Sequence, residues 1–187
     1  VVNKIGNEEI EATHTTPDAI QLNGLLRYMI AEGCEYCFME VSSHAIHQNR
    51  IAGVDFTGAI FTNITHDHLD YHKTFEEYLK AKKKFFDDLP ENAFALVNKD
   101  DKNGLVMQQN TVANKFSYAL KSMSDYSCNV VENDFSGMLL NIDGSEVWTK
   151  LIGNFNAYNL LAIYSTAVLL GQEKLSVLTA ISNLTSV

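Results

Sequence analysis

The sequence predicts an α/β domain in which a mainly parallel sheet is flanked by helices and carries a small antiparallel sub-sheet. Three observations support this fold class. Short apolar runs typical of buried strands occur at 36–41, 58–61 and 94–97. Segments with helical periodicity alternate with these runs, at 17–33 and 74–89. From Lys115 to Leu151 the pattern changes to short strands separated by turns.

Composition restricts the classes of partner. The chain has 187 residues and a net charge of −9, which argues against nucleic acid or an anionic membrane surface as its main partner. The longest mainly apolar stretch, Leu160 to Leu170, is too short to span a bilayer and predicts a buried helix. Three cysteines, an odd number, indicate a reducing compartment. We interpret Cys34 and Cys37 as ordinary buried thiols, with Cys37 inside the strand-like run that starts at Tyr36, rather than as a redox or zinc pair.

The first elements are a hairpin and a helix. Residues 1–12 are compatible with an edge hairpin around Gly6-Asn7. A helix then starts with Thr15 and Thr16 as caps and Pro17 at its first position, and Gly33 ends it. The two threonines either cap this helix only or also help its amides to bind an anion such as phosphate.

The strand predicted at 36–41 ends in a cluster of polar residues. Glu40 is either a solvated strand end or a carboxylate beside a core strand, and the second position favours a cation or metal partner. Ser42, Ser43 and His44 follow it directly. The fork of Arg50, a few residues later, suits a phosphate or carboxylate ligand, although an ordinary surface arginine is the alternative.

A loop rich in histidine and aspartate follows the strand at 58–61, with three histidines and two aspartates in the seven positions 66–72. The next helix begins at Thr74 with a capping box, and Lys82 falls on its apolar face. Either its stem packs and its ammonium reaches solvent, or burial lowers its pKa. A neutral amine there can add carbon dioxide and become a carbamate, an oxygen ligand for a metal.

Later segments add a second polar cluster and a second helix start. Residues 98–101 follow the strand at 94–97, and Asp143-Gly144 predicts a hairpin turn. Asn156 and Asn159 share one face of the first turn of a helix and could together bind the edge of a nucleotide base. The alternative for Asn156 is that it caps the helix. Leu175 to Val187 predicts a helix without a capping signal.

Several motifs together resemble the central domain of the Mur ligases, over nearly the whole chain and in the same order. The motifs are Glu40-Val41-Ser42-Ser43-His44-Ala45 with Gln48-x-Arg50, Phe61-Thr62-Asn63-Ile64-Thr65-x-Asp67-His68-Leu69-Asp70-Tyr71-His72, Tyr78-x-x-Ala81-Lys82, Asn98-x-Asp100-Asp101 and Gly153-x-Phe155-Asn156-x-Tyr158-Asn159. Details such as Ser42-Ser43-His44 favour the members that add the third amino acid to UDP-MurNAc-L-Ala-D-Glu.

This resemblance implies an ATP-dependent, cytoplasmic bacterial ligase of peptidoglycan biosynthesis that works through an acyl phosphate. It implies that Glu40, His68 and carbamylated Lys82 hold Mg²⁺, with His68 and Lys82 catalytic. The residues implied to bind the UDP-MurNAc-dipeptide are Thr15, Thr16, Ser42, Gln48 and Arg50. Asn156 and Asn159 would bind ATP. The implied partners are this nucleotide-sugar peptide, ATP and an amino acid, without nucleic acid or membrane insertion.

The sequence departs from the family pattern in one respect. It contains no G-x-x-G-K-T/S phosphate-binding loop, nor the family's uridine-binding and amino-acid-selecting domains. We therefore expect residues 1–187 to be a central domain truncated at both ends and inactive alone. The alternatives are a folylpolyglutamate synthase-like ligase, a metallo-β-lactamase-like hydrolase suggested by His66-x-His68-x-Asp70-x-His72, and a non-catalytic binding module.

Overall fold

The computed structural model describes residues 2–65 and 69–185, with the backbone alone described for Leu69 and Asp70. The described residues form eight strands: β1 (Val2–Ile5), β2 (Glu8–Glu11), β3 (Gly58–Phe61), β4 (Phe94–Asn98), β5 (Asn114–Ala119), β6 (Tyr126–Asp134), β7 (Gly137–Ile142) and β8 (Ser145–Thr149). The helices are α1 (Ala19–Ala31), α2 (Ser43–His47), α3 (Leu69–His72), α4 (Phe75–Asp87), α5 (Gly104–Met107), α6 (Asn154–Leu169) and α7 (Lys174–Ser182).

Strands β3 to β8 form one sheet in sequence order. The pairs from β3 to β6 are parallel, and the pairs β6–β7 and β7–β8 are antiparallel. The predicted α/β class is confirmed, and the antiparallel strands extend the same sheet. Asp143 and Gly144 form the predicted turn between β7 and β8, both with positive φ, as a two-residue hairpin of the right twist requires.

Contacts divide the chain into two compact units. We call residues 1–56 with 68–85 the N-terminal unit, and residues 57–67 with 86–187 the sheet unit. In the sheet unit, α6 packs on β4, β5 and β6, and α7 packs on β8. The core there is apolar, with Leu96, Met138 and Leu161 fully buried.

Helix α6 confirms the buried helix predicted over 160–170. Its two buried hydroxyls do not disturb the core, because Ser165 and Thr166 each donate to the carbonyl four residues earlier, at 2.7 Å. Within the described ranges 2–65 and 69–185, none of the helices combines the length and apolar character needed to cross a membrane.

The N-terminal unit contains the antiparallel pair β1–β2, whose turn is the predicted Gly6-Asn7. Helix α1 begins two residues later than predicted, because Asp18 is its N-cap and its carboxylate accepts from the amides of Ile20 and Gln21. Pro17 therefore precedes the cap. Gly33 ends the helix as predicted, with a positive φ.

Two sequence predictions about packing are wrong. Residues 36–41 are not a strand, since a strand needs a neighbour to pair with and no described segment pairs with this run. Consequently Cys37 is exposed rather than buried. The periodic apolar residues of α1 differ in exposure, since Leu22 is buried and Ile20 is 87% exposed.

The prediction of an uncapped helix over 175–187 is wrong as well. Helix α7 ends at Ser182, and Asn183 is its C-cap. The side-chain amide of Asn183 donates to the carbonyl of Thr179 at 3.0 Å, which satisfies one of the unpaired carbonyls of the last turn. At the other end, the carboxylate of Glu173 accepts from the amides of Leu175 and Ser176.

Candidate functional site

Thr16 is the centre of a hydrogen-bonded group in the N-terminal unit. Its side chain is buried, and its hydroxyl donates to the Glu40 carbonyl at 2.8 Å and accepts from the Ser42 amide at 3.4 Å. The Arg50 Nη1 donates to the Thr16 carbonyl at 3.1 Å. The structure therefore brings together four of the residues that the sequence singled out, although their positions in the chain span 34 residues.

Gln48 continues this group. Its side-chain oxygen accepts from the Arg50 Nε at 2.8 Å, and its Nε2 donates to the Tyr71 hydroxyl at 3.1 Å. His47 also approaches the Tyr71 hydroxyl, with its Nδ1 at 2.9 Å. Arg50 and Gln48 are thus aligned by each other, and a planar fork held in this way is suited to a carboxylate or phosphate.

Ser42, which belongs to this group, and Thr15, which lies beside it, have different roles. The Ser42 hydroxyl accepts from the Ala45 amide at 3.2 Å and is the N-cap of α2. Thr15 is exposed, beside the buried Thr16. The hypothesis that free amides at the start of α1 bind an anion loses its basis, because the Asp18 carboxylate already accepts from two of them.

Lys82 is half-buried on α4, and burial lowers the pKa of its ammonium, while the Glu40 charge opposes that shift. Its Nζ lies 5.5 Å from the centroid of the Tyr78 ring. This agrees with the inward position predicted from helical spacing. In contrast, Lys80 is exposed and pairs with Glu76 at 2.7 Å. Thr74 caps α4 as predicted, since its hydroxyl accepts from the Glu77 amide.

Glu40 differs from the prediction in its environment. We expected a carboxylate at the end of a buried strand, but that strand does not form and the residue is exposed. Its backbone carbonyl, rather than its side chain, receives the Thr16 hydroxyl. The carboxylate nevertheless lies close enough to Lys82 to affect its pKa.

A buried pair of polar residues, Ser43 and His72, received no role from the sequence. The His72 Nε2 and the Ser43 Oγ lie 2.9 Å apart. His72 also stacks on Tyr78, with ring centroids 5.4 Å apart and an interplanar angle of 25°. Ser43 and His72 both belong to motifs found in the sequence. No sequence pattern indicates, however, that these two residues, 29 positions apart, are partners.

In the sheet unit, the polar cluster after β4 holds the segment that follows β3. The Asn98 side chain donates to the Thr62 carbonyl at 2.9 Å, and the Asp101 carboxylate accepts from the Ile64 amide at 3.3 Å. These bonds fix residues 62 and 64, which lie just before His66 and His68 in the sequence. His68, a predicted catalytic residue and metal ligand, lies outside the described residues.

Asp100 binds three consecutive amides and a tyrosine. Its carboxylate accepts from the amides of Leu120, Lys121 and Ser122 and from the Tyr158 hydroxyl, at 2.8 to 3.0 Å. Burial by itself raises the pKa of Asp100, but these hydrogen bonds outweigh it and lower the pKa to about 2. Burial and the Asp100 carboxylate raise the pKa of Tyr158 to about 12.

Tyr158 lies on α6 between the two asparagines predicted to bind ATP. The Asn156 side chain donates to the Ile152 carbonyl at 2.8 Å, so it ties the first turn to the preceding loop. Asn159 is exposed. The N-cap of α6 is Gly153, with φ of 90°, rather than Asn156. The Tyr158–Asp100 bond therefore fixes the turn that carries both asparagines.

No group of three or more His, Cys, Asp or Glu residues suited to a metal ion occurs within residues 2–65 and 71–185. His66, Asp67, His68 and Asp70 lie outside this part of the chain. The role of His68 therefore stays a prediction.

Comparison with known proteins gives the class. The family model for the Mur ligase middle domain matches residues 1–167, and the chain belongs to the Mur ligase family. A solved UDP-N-acetylmuramoyl-L-alanyl-D-glutamate--2,6-diaminopimelate ligase superposes with a TM-score of 0.85 at 29% identity. The superposition covers 97% of this chain and 39% of the solved ligase chain. MurF from Acinetobacter baumannii, at 16% identity and a TM-score of 0.64, covers 71% of this chain and 30% of its own and shares the fold.

Relatives with the same printed name are more similar in sequence. The chain is 58% identical over 184 residues to the UDP-N-acetylmuramoyl-L-alanyl-D-glutamate--2,6-diaminopimelate ligase of Bacteroides fragilis and 56% identical over 184 residues to that of Cytophaga hutchinsonii. Each alignment covers 98% of this chain. The chain spans 38% of the length of each of these two relatives.

Proposed function

We propose that this chain is the central domain of a ligase that adds diaminopimelate to UDP-MurNAc-L-Ala-D-Glu in peptidoglycan biosynthesis, in the bacterial cytoplasm. The names of the relatives favour diaminopimelate over lysine, a choice that the sequence left open. The observation that carries the proposal is the position of Lys82, an inward lysine beside Glu40 in the same unit as Thr16, Ser42, Gln48 and Arg50.

The proposed reaction has two steps. The substrate carboxylate attacks the γ-phosphorus of ATP, which gives an acyl phosphate and ADP. The amine of diaminopimelate then attacks the acyl carbon, phosphate leaves, and the amine loses a proton. Such chemistry depends on positioning and on stabilising the charge of the phosphoryl oxygens.

The residues of the N-terminal unit would hold the UDP-MurNAc-dipeptide. We assign this role to Arg50 and Gln48, whose side chains are already aligned, and to Thr15 and Ser42. Thr16 would act mainly by holding the backbone of its neighbours, since its hydroxyl is engaged with the chain. In the sheet unit, Asn156 and Asn159 would contact the adenine of ATP.

Lys82 would add carbon dioxide through its neutral amine, forming a carbamate and releasing a proton. The lowered pKa of Lys82 supports this step because only the neutral amine can add carbon dioxide. Glu40, His68 and the carbamate would form an oxygen-rich donor set of the kind Mg²⁺ prefers, completed by one imidazole. When bound, Mg²⁺ would neutralise charge on the phosphoryl oxygens.

A chimera tests the proposal. The 184 aligned residues of the Bacteroides fragilis ligase are replaced by this chain, and ATP-dependent amide formation is measured with diaminopimelate and with lysine. We expect activity with diaminopimelate and a loss of at least about 100-fold in Lys82→Ala, as when a charge-stabilising group is removed. Lys80→Ala, on the exposed side of the same helix, is the matched control.

A chimera that folds but forms no amide, or one that is unaffected by Lys82→Ala, would overturn the assignment. Carbon-13 NMR under labelled bicarbonate examines the carbamate separately, and its signal should disappear in Lys82→Ala. The isolated 187-residue chain should show no ligase activity in the same assay.

A further inference from the structure

Four side chains form a continuous path through the N-terminal unit. It starts at Ser43 on α2, passes to His72 on α3, then to Tyr78 and Lys82 on α4. The contacts are the 2.9 Å approach of His72 to Ser43, the stacking of His72 on Tyr78, and the Lys82 Nζ 5.5 Å from the Tyr78 ring centroid. We call this path the serine–histidine–tyrosine–lysine chain.

The middle of the serine–histidine–tyrosine–lysine chain is buried. Ser43 is 1% exposed, His72 is 5% exposed and Tyr78 is 4% exposed. A buried hydroxyl and imidazole that pair with each other have little freedom to turn elsewhere, because either would lose its partner. The orientation of His72 is fixed at one end by a polar contact and at the other by a ring face, so α3 is attached to both α2 and α4.

The two ends of the serine–histidine–tyrosine–lysine chain, Ser43 and Lys82, lie at or beside residues of the proposed site. Ser43 follows Ser42, which caps α2, and Glu40 lies three positions before Ser43. Lys82 is the other end. Any rotation of His72 would therefore alter the relation between the backbone that carries Glu40 and the helix that carries Lys82.

We propose that His72 is a positioning residue: its contacts with Ser43 and Tyr78 hold the segment that carries Glu40 in a fixed relation to the helix that carries Lys82, the two residues proposed to bind a divalent cation. This inference rests on the proposed function. Groups that orient metal ligands without touching the metal typically change its affinity by about 10- to 100-fold when removed. His72 would thus act on cation binding rather than on the reacting atoms.

The test uses the chimera and Mn²⁺ as the probe, with its affinity measured by electron paramagnetic resonance. His72→Phe keeps a ring on Tyr78 but removes the contact with Ser43, and Ser43→Ala removes the same contact from the other side. Each should weaken Mn²⁺ binding by about 10-fold or more. The double variant should be no worse than either single variant, because one contact is lost in all three.

Two further variants separate positioning from folding. His72→Gln places an amide nitrogen near the position of Nε2, so it should restore most of the Mn²⁺ affinity. Lys80→Ala, at an exposed position of α4 that pairs with Glu76, should leave the affinity unchanged. Thermal unfolding by circular dichroism identifies any variant that does not fold. If His72→Phe fails to fold, Ser43→Ala and His72→Gln still decide the question.

Three outcomes distinguish the two proposals. Weakened binding in Ser43→Ala with recovery in His72→Gln supports the inference. A chimera that binds Mn²⁺ and forms amide, with folded Ser43→Ala binding equally well, overturns the inference alone. A folded chimera that neither binds Mn²⁺ nor forms amide overturns the proposed function and, with it, the role of His72.

Discussion

The two units of the molecule are stabilised in different ways. The sheet unit buries apolar side chains from each of the strands β4 to β8 and from α6 and α7. Among the described residues, the N-terminal unit buries few apolar side chains, such as Leu22 and Ile46, and three polar ones: Thr16, Ser43 and His72. The candidate substrate and cation residues of this unit therefore lie where buried hydrogen-bonding groups and a small apolar core together determine the structure.

The largest effect should come from the core of the sheet unit. Leu161→Ala removes a fully buried side chain of α6 and should lower the free energy of unfolding by about 2–5 kcal/mol. Leu175→Ala, at a position 68% exposed, should change it by less than about 0.5 kcal/mol. Urea denaturation of both variants measures the difference. Equal effects at the two positions would contradict the assignment of the core to this unit.

The same substitution, glycine to alanine, should change the stability in opposite directions in the two units. A Cβ at Gly104 would lie 2.0 Å from the Asn98 carbonyl oxygen, so Gly104→Ala should destabilise by about 1–3 kcal/mol. Gly24, within α1, has open space around its Cβ position, and Gly24→Ala should stabilise by about 0.5–1 kcal/mol. Thermal unfolding compares them. A stabilised Gly104→Ala would show that the loop after β4 can relax.

Removing one hydroxyl should loosen the N-terminal unit locally. Thr16→Val keeps the shape of the buried side chain but leaves the Glu40 carbonyl and the Ser42 amide without this partner. The cost should be about 1–3 kcal/mol. Amide hydrogen exchange should become faster at Ala45 in α2, with Thr16→Ser as the control that retains the hydroxyl. Unchanged exchange in Thr16→Val would show that Thr16 does not hold this segment.

The smallest expected effect is on the stability of the protein at acid pH. The folded pKa of Asp100, about 2, is below its ordinary value of 3.8. The contribution of Asp100 to stability is therefore complete above pH 4 and is lost as the pH falls toward 2. Asp100→Asn should reduce the dependence of stability on pH between 4 and 2, as measured by urea denaturation at each pH. An unaltered dependence would contradict the role of its hydrogen bonds.

Local signals allowed much of the fold to be predicted. The Gly6-Asn7 and Asp143-Gly144 turns, the end of α1 at Gly33 and the cap at Thr74 each depend on a few neighbouring residues, and all are confirmed. The run 36–41 failed because a strand depends on a distant partner that composition does not reveal. The same limit explains the start of α1, where Asp18 caps more effectively than the threonines before it.

The candidate site shows the same limit. The inward position of Lys82 could be predicted because helical spacing alone decides it. The convergence of Thr16, Ser42 and Arg50 follows from tertiary folding, so the residues alone suggested only separate possibilities. Pairings such as Ser43 with His72 or Asp100 with Tyr158 join positions 29 and 58 residues apart, and no local pattern specifies them.

The hydrogen bonds of Asp100 have a consequence for how the sequence can vary. One carboxylate joins the end of β4, the turn at 120–122 and helix α6. No other amino acid supplies an acceptor of this length with two oxygens and a full negative charge: asparagine lacks the charge and the second oxygen, and glutamate is one methylene longer. In a saturation mutagenesis experiment, position 100 should therefore tolerate fewer replacements than other partly exposed positions do.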